Sequence, residues 1–175
     1  LCYILGSITF SQIDAWYKKK SDISQSGTKN IGATNAFLVG GPAAGIFAYL
    51  GDIGKGILAV YLARLYIGTD TASVLAGFFS ILGHDYSIFL KFSGGKGISP
   101  TGGVLLGIDL RFGLLVFSLW ILTILLIRYF VISTLIILCL IPWLITLFNM
   151  PLEYLYFAFA TAGLGFWQHR LHIWR

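Results

Sequence analysis

The stretch Ser93–Gly103 reads SGGKGISPTGG, one lysine among glycines between two long apolar runs. Glycine at 94, 95 and 97 lets backbone N–H groups point at an anion in conformations that other residues resist. Lys96 adds a formal charge, and a helix starting near Ile98 would aim its positive end at the same point. Ser99 and Thr101 offer hydroxyls as donors or caps. The spacing excludes a nucleotide P-loop, which needs glycine at 90 and serine or threonine at 97, where the chain has Leu90 and Gly97. Taken alone, the loop fits two descriptions: an anion cradle, or a flexible turn with a snorkelling lysine.

A second polar stretch, SGTKNIGATN, runs from Ser26 to Asn35. Its residue types suit a turn that presents donors to an anion, with Thr28, Asn30, Thr34 and Asn35 in reach of phosphate or glycerol oxygens. A solvated loop of turn residues has the same composition. Two such loops, one with Lys29 and one with Lys96, beside a membrane point to a phosphorylated substrate that is partly lipid. The third cluster is the terminal HRLHIWR, with His169, Arg170, His172 and Arg175. It reads as an interfacial basic anchor beside Trp167 and Trp174, or as phosphate ligands and a proton carrier. Asp52 and Lys55 share one face of an apolar helix and read as a buried pair holding the wall of the site. His84-Asp85 ends the next helix, where His84 serves as a cap, a loop tether or a catalytic group.

These loops must be carried by apolar elements. Hydrophobic residues make up 57% of the chain and charged residues 11%, against about a quarter charged in a soluble domain. A water-facing surface cannot be built from that composition, so the chain reads as an all-α integral membrane protein forming a single domain over 1–175. A crossing takes about 20 apolar residues, and the length allows roughly seven with short loops. Apolar segments fall at about 1–17, 43–67, 71–91, 98–108, 112–128, 130–148 and 152–167, each too long and too unbroken for strands. The short, glycine-rich fourth is the least regular, and Arg128-Tyr129 is the expected break inside 111–148. Leu1–Phe10 reads as the truncated start of a first span, since a signal peptide would need a basic start and a small-residue cleavage site.

The charges choose an orientation. Lys18, Lys19, Lys20 and Lys29 follow the first segment, Lys91 and Lys96 the third, Arg128 the fifth, and Arg170 and Arg175 the seventh. All fall on one side if the N-terminus is outside and the C-terminus cytoplasmic. The chemistry then belongs to the cytoplasmic face. The net charge of +5 fits this topology and attraction to anionic lipid, not nucleic acid. Cys2 and Cys139 lie far apart in apolar runs and imply neither a disulfide nor a metal framework.

In order along the chain, GTKNIGATN, GDIGKG, GHDYSIFLKFSGGKG and the terminal His169-Arg170, Ile173 and Arg175 resemble the bacterial acyl-phosphate:glycerol-3-phosphate acyltransferases. The opening LGSITF resembles that family's usual start with Thr9 in place of proline, and the likeness covers nearly the whole chain. The resemblance implies a seven-helix enzyme of phospholipid biosynthesis in the bacterial cytoplasmic membrane. Such an enzyme moves a fatty acyl group from acyl phosphate to the 1-hydroxyl of glycerol 3-phosphate, giving lysophosphatidate and inorganic phosphate. It implies no cofactor, no metal and no acyl-CoA. Its partners are the two substrates, membrane lipids and the soluble enzyme that makes acyl phosphate. The His-x4-Asp motif of other glycerolipid acyltransferases is missing here too, since Phe89 and Trp174 stand five residues after His84 and His169.

Carried over by position, the resemblance assigns Lys96, Thr28 and His169 to catalysis. Asn30, Gly32, Thr34, Asn35, Gly94, Gly95, Gly97, Ser99, Arg128, Arg170 and His172 become substrate or phosphate ligands. Orientation and charge neutralisation supply much of the rate, because acyl phosphate is already activated and a substrate phosphate can take the hydroxyl proton. The chain departs from the pattern at Thr28 (usually serine), Leu38 (arginine), Ile98-Ser99-Pro100-Thr101 (Val-Ala-Thr), Val131 (serine) and His172 (asparagine). Losing the arginine and the asparagine implies weaker glycerol phosphate binding. The departures leave open a divergent enzyme, a non-catalytic lipid- or anion-binding relative, and a small transporter.

Overall fold

The computed structural model describes residues 1–17 and 23–173, with side chains to Arg170 in the last helix. Lys18–Lys20, Trp174, Arg175 and the side chains of His172 and Ile173, all invoked above, lie outside the described residues. The described residues hold nine α-helices and no strand: α1 (Cys2–Ser7), α2 (Phe10–Tyr17), α3 (Ala33–Gly40), α4 (Pro42–Tyr66), α5 (Asp70–Asp85), α6 (Ile98–Ile108), α7 (Leu110–Ile127), α8 (Phe130–Leu147) and α9 (Leu152–Ile173). Among the described residues, four helical stretches are long and apolar enough to cross a membrane: α4, α5 with its following turn to Leu90, α7 and α8. The chain is a multi-pass, all-helical membrane protein. At 11 residues, α6 is about 16 Å long, a short apolar helix within the bundle.

Most segment boundaries follow the hydropathy, and the departures have local causes. Arg128 sits in the left-handed region (φ 59°) between α7 and α8, at the expected break. The Asp109 carboxylate accepts from Phe112 N at 2.7 Å and starts α7. The first apolar segment is two helices, because Ile8 is extended after α1. A broken helix in an apolar setting must find partners for the carbonyls it frees. Lys55 Nζ donates to Gly6 O at 2.8 Å and Ile8 O at 2.7 Å, and Ser87 Oγ donates to Ser7 O at 2.7 Å. Part of the second polar stretch is helical, as α3 begins at Ala33.

Small residues let the helix backbones close up, as packing inside a membrane favours. A methyl at Gly103 would come 2.1 Å from Ile53 O, and one at Gly56 2.5 Å from Pro100 O, so α4 and α6 touch backbone to backbone. Likewise Gly83 lies against Tyr3 O and joins α5 to α1. The apolar core runs through Ile81, Val104, Ile141, Ile145 and Phe157. Arg64 donates to Gly107 O at 2.9 Å and Ile108 O at 2.6 Å, closing the C-terminus of α6. The Tyr154 hydroxyl donates to Asp70 beside that end.

Candidate active site

Glycine at 94 and 95 is dictated by close approach. A methyl at Gly94 would stand 2.0 Å from His84 O, and one at Gly95 2.0 Å from His84 Nε2 and 2.7 Å from Ile31 O. Gly95 N donates to His84 O at 3.0 Å. The glycine loop is therefore laid along the end of α5, and the first polar loop, through Ile31, packs on its other side. Gly97 adopts φ +71° and caps α6, where any side chain would also be strained. Pro100, the most obvious departure in this loop, is buried in the first turn of α6. Its missing N–H costs no helical hydrogen bond there.

From this loop a cavity of about 240 Å³ extends between α6, α7, α8 and α9, with Tyr49 and Ile53 of α4 and Ile81 and Asp85 of α5 also in its wall. Its polar end is formed by Asp85, Lys96, Ser99 and Thr101. Its body is apolar, with Leu105, Leu106, Phe117, Ile137 and Ile141 among the walls. Because α6 and α8 run away from the loop while α7 and α9 return to it, the layer around Leu106, Gly113 and Ile141 is the deepest. Lys96 is half-buried, and burial pushes its ammonium below the ordinary lysine value.

The first loop is braced from within. Asn35 is fully buried; its Oδ1 accepts from Thr28 N at 2.8 Å and its Nδ2 donates to Ile23 O at 2.7 Å. Ile23 N in turn donates to Gln12 Oε1 at 3.3 Å, tying the loop to α2. Asn35 thus spends its amide on shape and leaves Thr28, Thr34 and Asn30 toward the surface, with Gly32 extended at the start of α3. Leu38 is exposed on α3.

The third cluster arrives on α9. Gln168 lies beside the Asp85 carboxylate, which brings the last turns of α9 to the glycine loop. His169 is buried, its Nδ1 2.9 Å from Gly165 O. Arg170 is exposed, with its guanidinium 4.0 Å above the Trp167 ring and Nη1 donating to Trp167 O at 2.5 Å. Arg128 is exposed at the α7–α8 junction, apart from the cavity wall. Residue types alone missed the cavity: Tyr49, Trp120 and Thr161 line it and carried no motif. Trp120 Nε1 donates to Thr134 Oγ1 at 3.1 Å, a cross-helix bond that marks this wall as built.

The site is thus a cationic, glycine-lined mouth on an apolar groove. The sequence model of glycerol-3-phosphate acyltransferase matches residues 1–175. The chain belongs to the glycerol-3-phosphate acyltransferase family. A glycerol-3-phosphate acyltransferase of Carboxydothermus hydrogenoformans is 39% identical, covering all of this chain and 89% of that protein. One from Coxiella burnetii is 34% identical over 97% of this chain and 87% of its own length. Crystal structures of PlsY (YgiH), an integral membrane glycerol 3-phosphate acyltransferase, match with TM-scores of 0.92 in the glycerol 3-phosphate form and 0.90 in the lysophosphatidic acid form. Each is 29% identical, with 99% of this chain and 87% of that chain covered. The glycerol-3-phosphate acyltransferase fold thus runs through this sequence with the Leu38 and Pro100 departures accommodated, one on an exposed helix face and one in a helix's first turn.

Proposed function

We propose that this protein transfers a fatty acyl group from acyl phosphate to the 1-hydroxyl of glycerol 3-phosphate, releasing lysophosphatidate and inorganic phosphate. The observation that carries the reading is the cavity itself, one wall of which is the Lys96 loop and the rest an apolar groove between α6 and α9. The donor's chain lies in the groove and its phosphate at Lys96, the backbone N–H groups of the glycine loop and Ser99. Glycerol 3-phosphate enters from the first loop, where Thr28, Asn30 and Thr34 face outward. The 1-hydroxyl oxygen forms a bond to the acyl carbonyl carbon. The carbon–oxygen bond to phosphate breaks, and phosphate leaves with the electron pair. A substrate phosphate takes the hydroxyl proton, so no side-chain base is needed. His169, buried at the α9 end, orients the acceptor, and Arg170 meets its phosphate. Lys96 neutralises charge that grows on the leaving phosphate, a contribution concentrated in the transition state.

The same reading sets the chain in the bacterial cytoplasmic membrane as a single domain with seven crossings, N-terminus outside and site facing the cytoplasm. The basic residues support it, since Lys29, Lys91, Lys96, Arg128 and Arg170 all fall on the loop side of the bundle. A soluble enzyme that makes acyl phosphate would deliver the donor at that face. The test is a donor comparison on purified protein in bilayers with glycerol 3-phosphate. Palmitoyl phosphate should yield lysophosphatidate and palmitoyl-CoA none. Product from the thioester alone would overturn the donor assignment.

A further inference from the structure

The buried ions of α4 and α5 lie behind the glycine loop, outside the cavity wall, and the transfer chemistry makes no use of them. Lys55 Nζ has three N–H groups and four acceptors: Ile8 O at 2.7 Å, Gly6 O at 2.8 Å, and Asp52 Oδ1 and His84 Nδ1 each at 2.9 Å. An ammonium can only donate, so Nδ1 accepts and the ring proton sits on Nε2. Asp52 Oδ1 stands 3.4 Å from Nδ1, completing a triangle with Nζ. All three side chains are at most 4% exposed. A cluster this desolvated holds its geometry as a unit, since loosening one member strands a buried charge.

The cluster's outer edge is the glycine loop. His84 contacts Gly95 twice, through its carbonyl, which accepts from Gly95 N, and through Nε2, which faces the α-carbon of Gly95. Ile31 O of the first loop closes on the same α-carbon. A glycine-rich loop left to itself would have to be ordered by each substrate, at a cost in affinity, whereas a loop held in place beforehand is spared it. We propose that the Asp52–Lys55–His84 cluster positions the phosphate loop: Lys55, oriented by Asp52, fixes the His84 ring, and His84 fixes Gly95 with Ile31 across it. The proposal rests on the reading of the Lys96 loop as the phosphate site. These three are positioning residues, not catalytic ones. Lys55 also satisfies the carbonyls of the α1–α2 break, so the ion that mends the broken helix is the one that sets the loop.

Removing Lys55 or Asp52 would leave a buried charge unpaired and threaten the fold, so the test uses His84. His84→Leu fills space without an acceptor for Lys55, whereas His84→Asn returns an acceptor near the Nδ1 position. Hydrogen exchange is followed by mass spectrometry on the whole protein, alongside kinetics with palmitoyl phosphate and glycerol 3-phosphate. In His84→Leu the amides of 94–97 should exchange about ten-fold faster while α8 is unchanged. KM for glycerol 3-phosphate should rise about ten-fold with kcat held within about three-fold. His84→Asn should recover most of both. Unchanged loop exchange with kcat falling alone would overturn the proposal and leave the cluster as a mend for the α1–α2 break. Exchange rising equally in α8 would overturn it too. The exchange arm needs no substrate, so loop-confined loosening in a protein that makes no lysophosphatidate would defeat the enzymatic reading and sustain the positioning.

Discussion

A methyl group at Gly94 would stand 2.0 Å from the His84 carbonyl oxygen, 2.7 Å from that of Asp85 and 2.8 Å from the Asp85 carbonyl carbon. All three are backbone atoms at the end of α5, so no side chain can swing away to relieve the overlap. The loop itself must move by an ångström or so, and Lys96, two residues on, moves with it. Overpacking of this kind costs about 1–3 kcal/mol. Taken out of phosphate binding, that weakens affinity by about 5- to 150-fold. Gly54→Ala is the control, because its methyl meets nothing within 4 Å on α4 and should stabilise the helix by about 0.5–1 kcal/mol. The assay is lysophosphatidate formation over a range of glycerol 3-phosphate and palmitoyl phosphate, with thermal unfolding of each variant alongside. Gly94→Ala should raise KM for a phosphorylated substrate within that range, while Gly54→Ala leaves it unchanged. A Gly94→Ala enzyme with wild-type KM values for both substrates would refute the placement of the phosphate at this loop.

Lys96→Ala removes a charge-assisted contact of about 1.5–3 kcal/mol, so kcat/KM should fall by at least about 10- to 150-fold. The protonated ammonium is the form that binds phosphate, and burial lowers its pKa. The wild type should therefore be more active below that lowered pKa than above it. It should lose kcat/KM as pH rises through the lowered value, before an ordinary lysine near 10.4 would titrate. Lys96→Arg should remove that alkaline limb, and an unshifted limb in the arginine variant would rule out Lys96 as its source. Asn35→Ala leaves Ile23 O without its donor and Thr28 N without its acceptor, which costs about 1–3 kcal/mol and lowers Tm by roughly 2–10 °C. An unchanged melting curve would contradict the brace. Leu106→Trp, at the deep end of the cavity, should raise KM for palmitoyl phosphate far more than for octanoyl phosphate; equal effects on both would place the chain elsewhere.

Hydropathy was sufficient for the long helices. The segment expected at 43–67 is α4 at Pro42–Tyr66, and Arg128-Tyr129 breaks α7 from α8 as its polarity suggested. The Asp52–Lys55 pair was legible from its spacing in an apolar helix. The break at Ile8 was not, because an apolar run carries no mark of where its carbonyls turn to a lysine 47 residues away. Asn35 shows the other limit. Its type suited an anion loop, but spacing cannot say whether an amide faces outward or, as here, bonds Ile23 O and Thr28 N. The cavity was invisible for a related reason. Its walls come from six helices whose apolar residues look alike until packing decides which face a lipid and which face one another. Pro100 departs from the motif, yet its place in the first turn of α6 makes it harmless to the helix.

Whether the Lys96 loop holds the donor phosphate at the mouth of an acyl groove would be seen in a structure with a non-hydrolysable acyl phosphonate. The phosphonate should lie in hydrogen-bonding contact with Lys96 Nζ and the backbone N–H groups of Lys96 and Gly97, since Gly95 N is already bonded to His84 O, with the alkyl chain running past Leu105 toward Ile141. A phosphonate bound away from Lys96, or a chain lying outside an empty α6–α9 cavity, would contradict it.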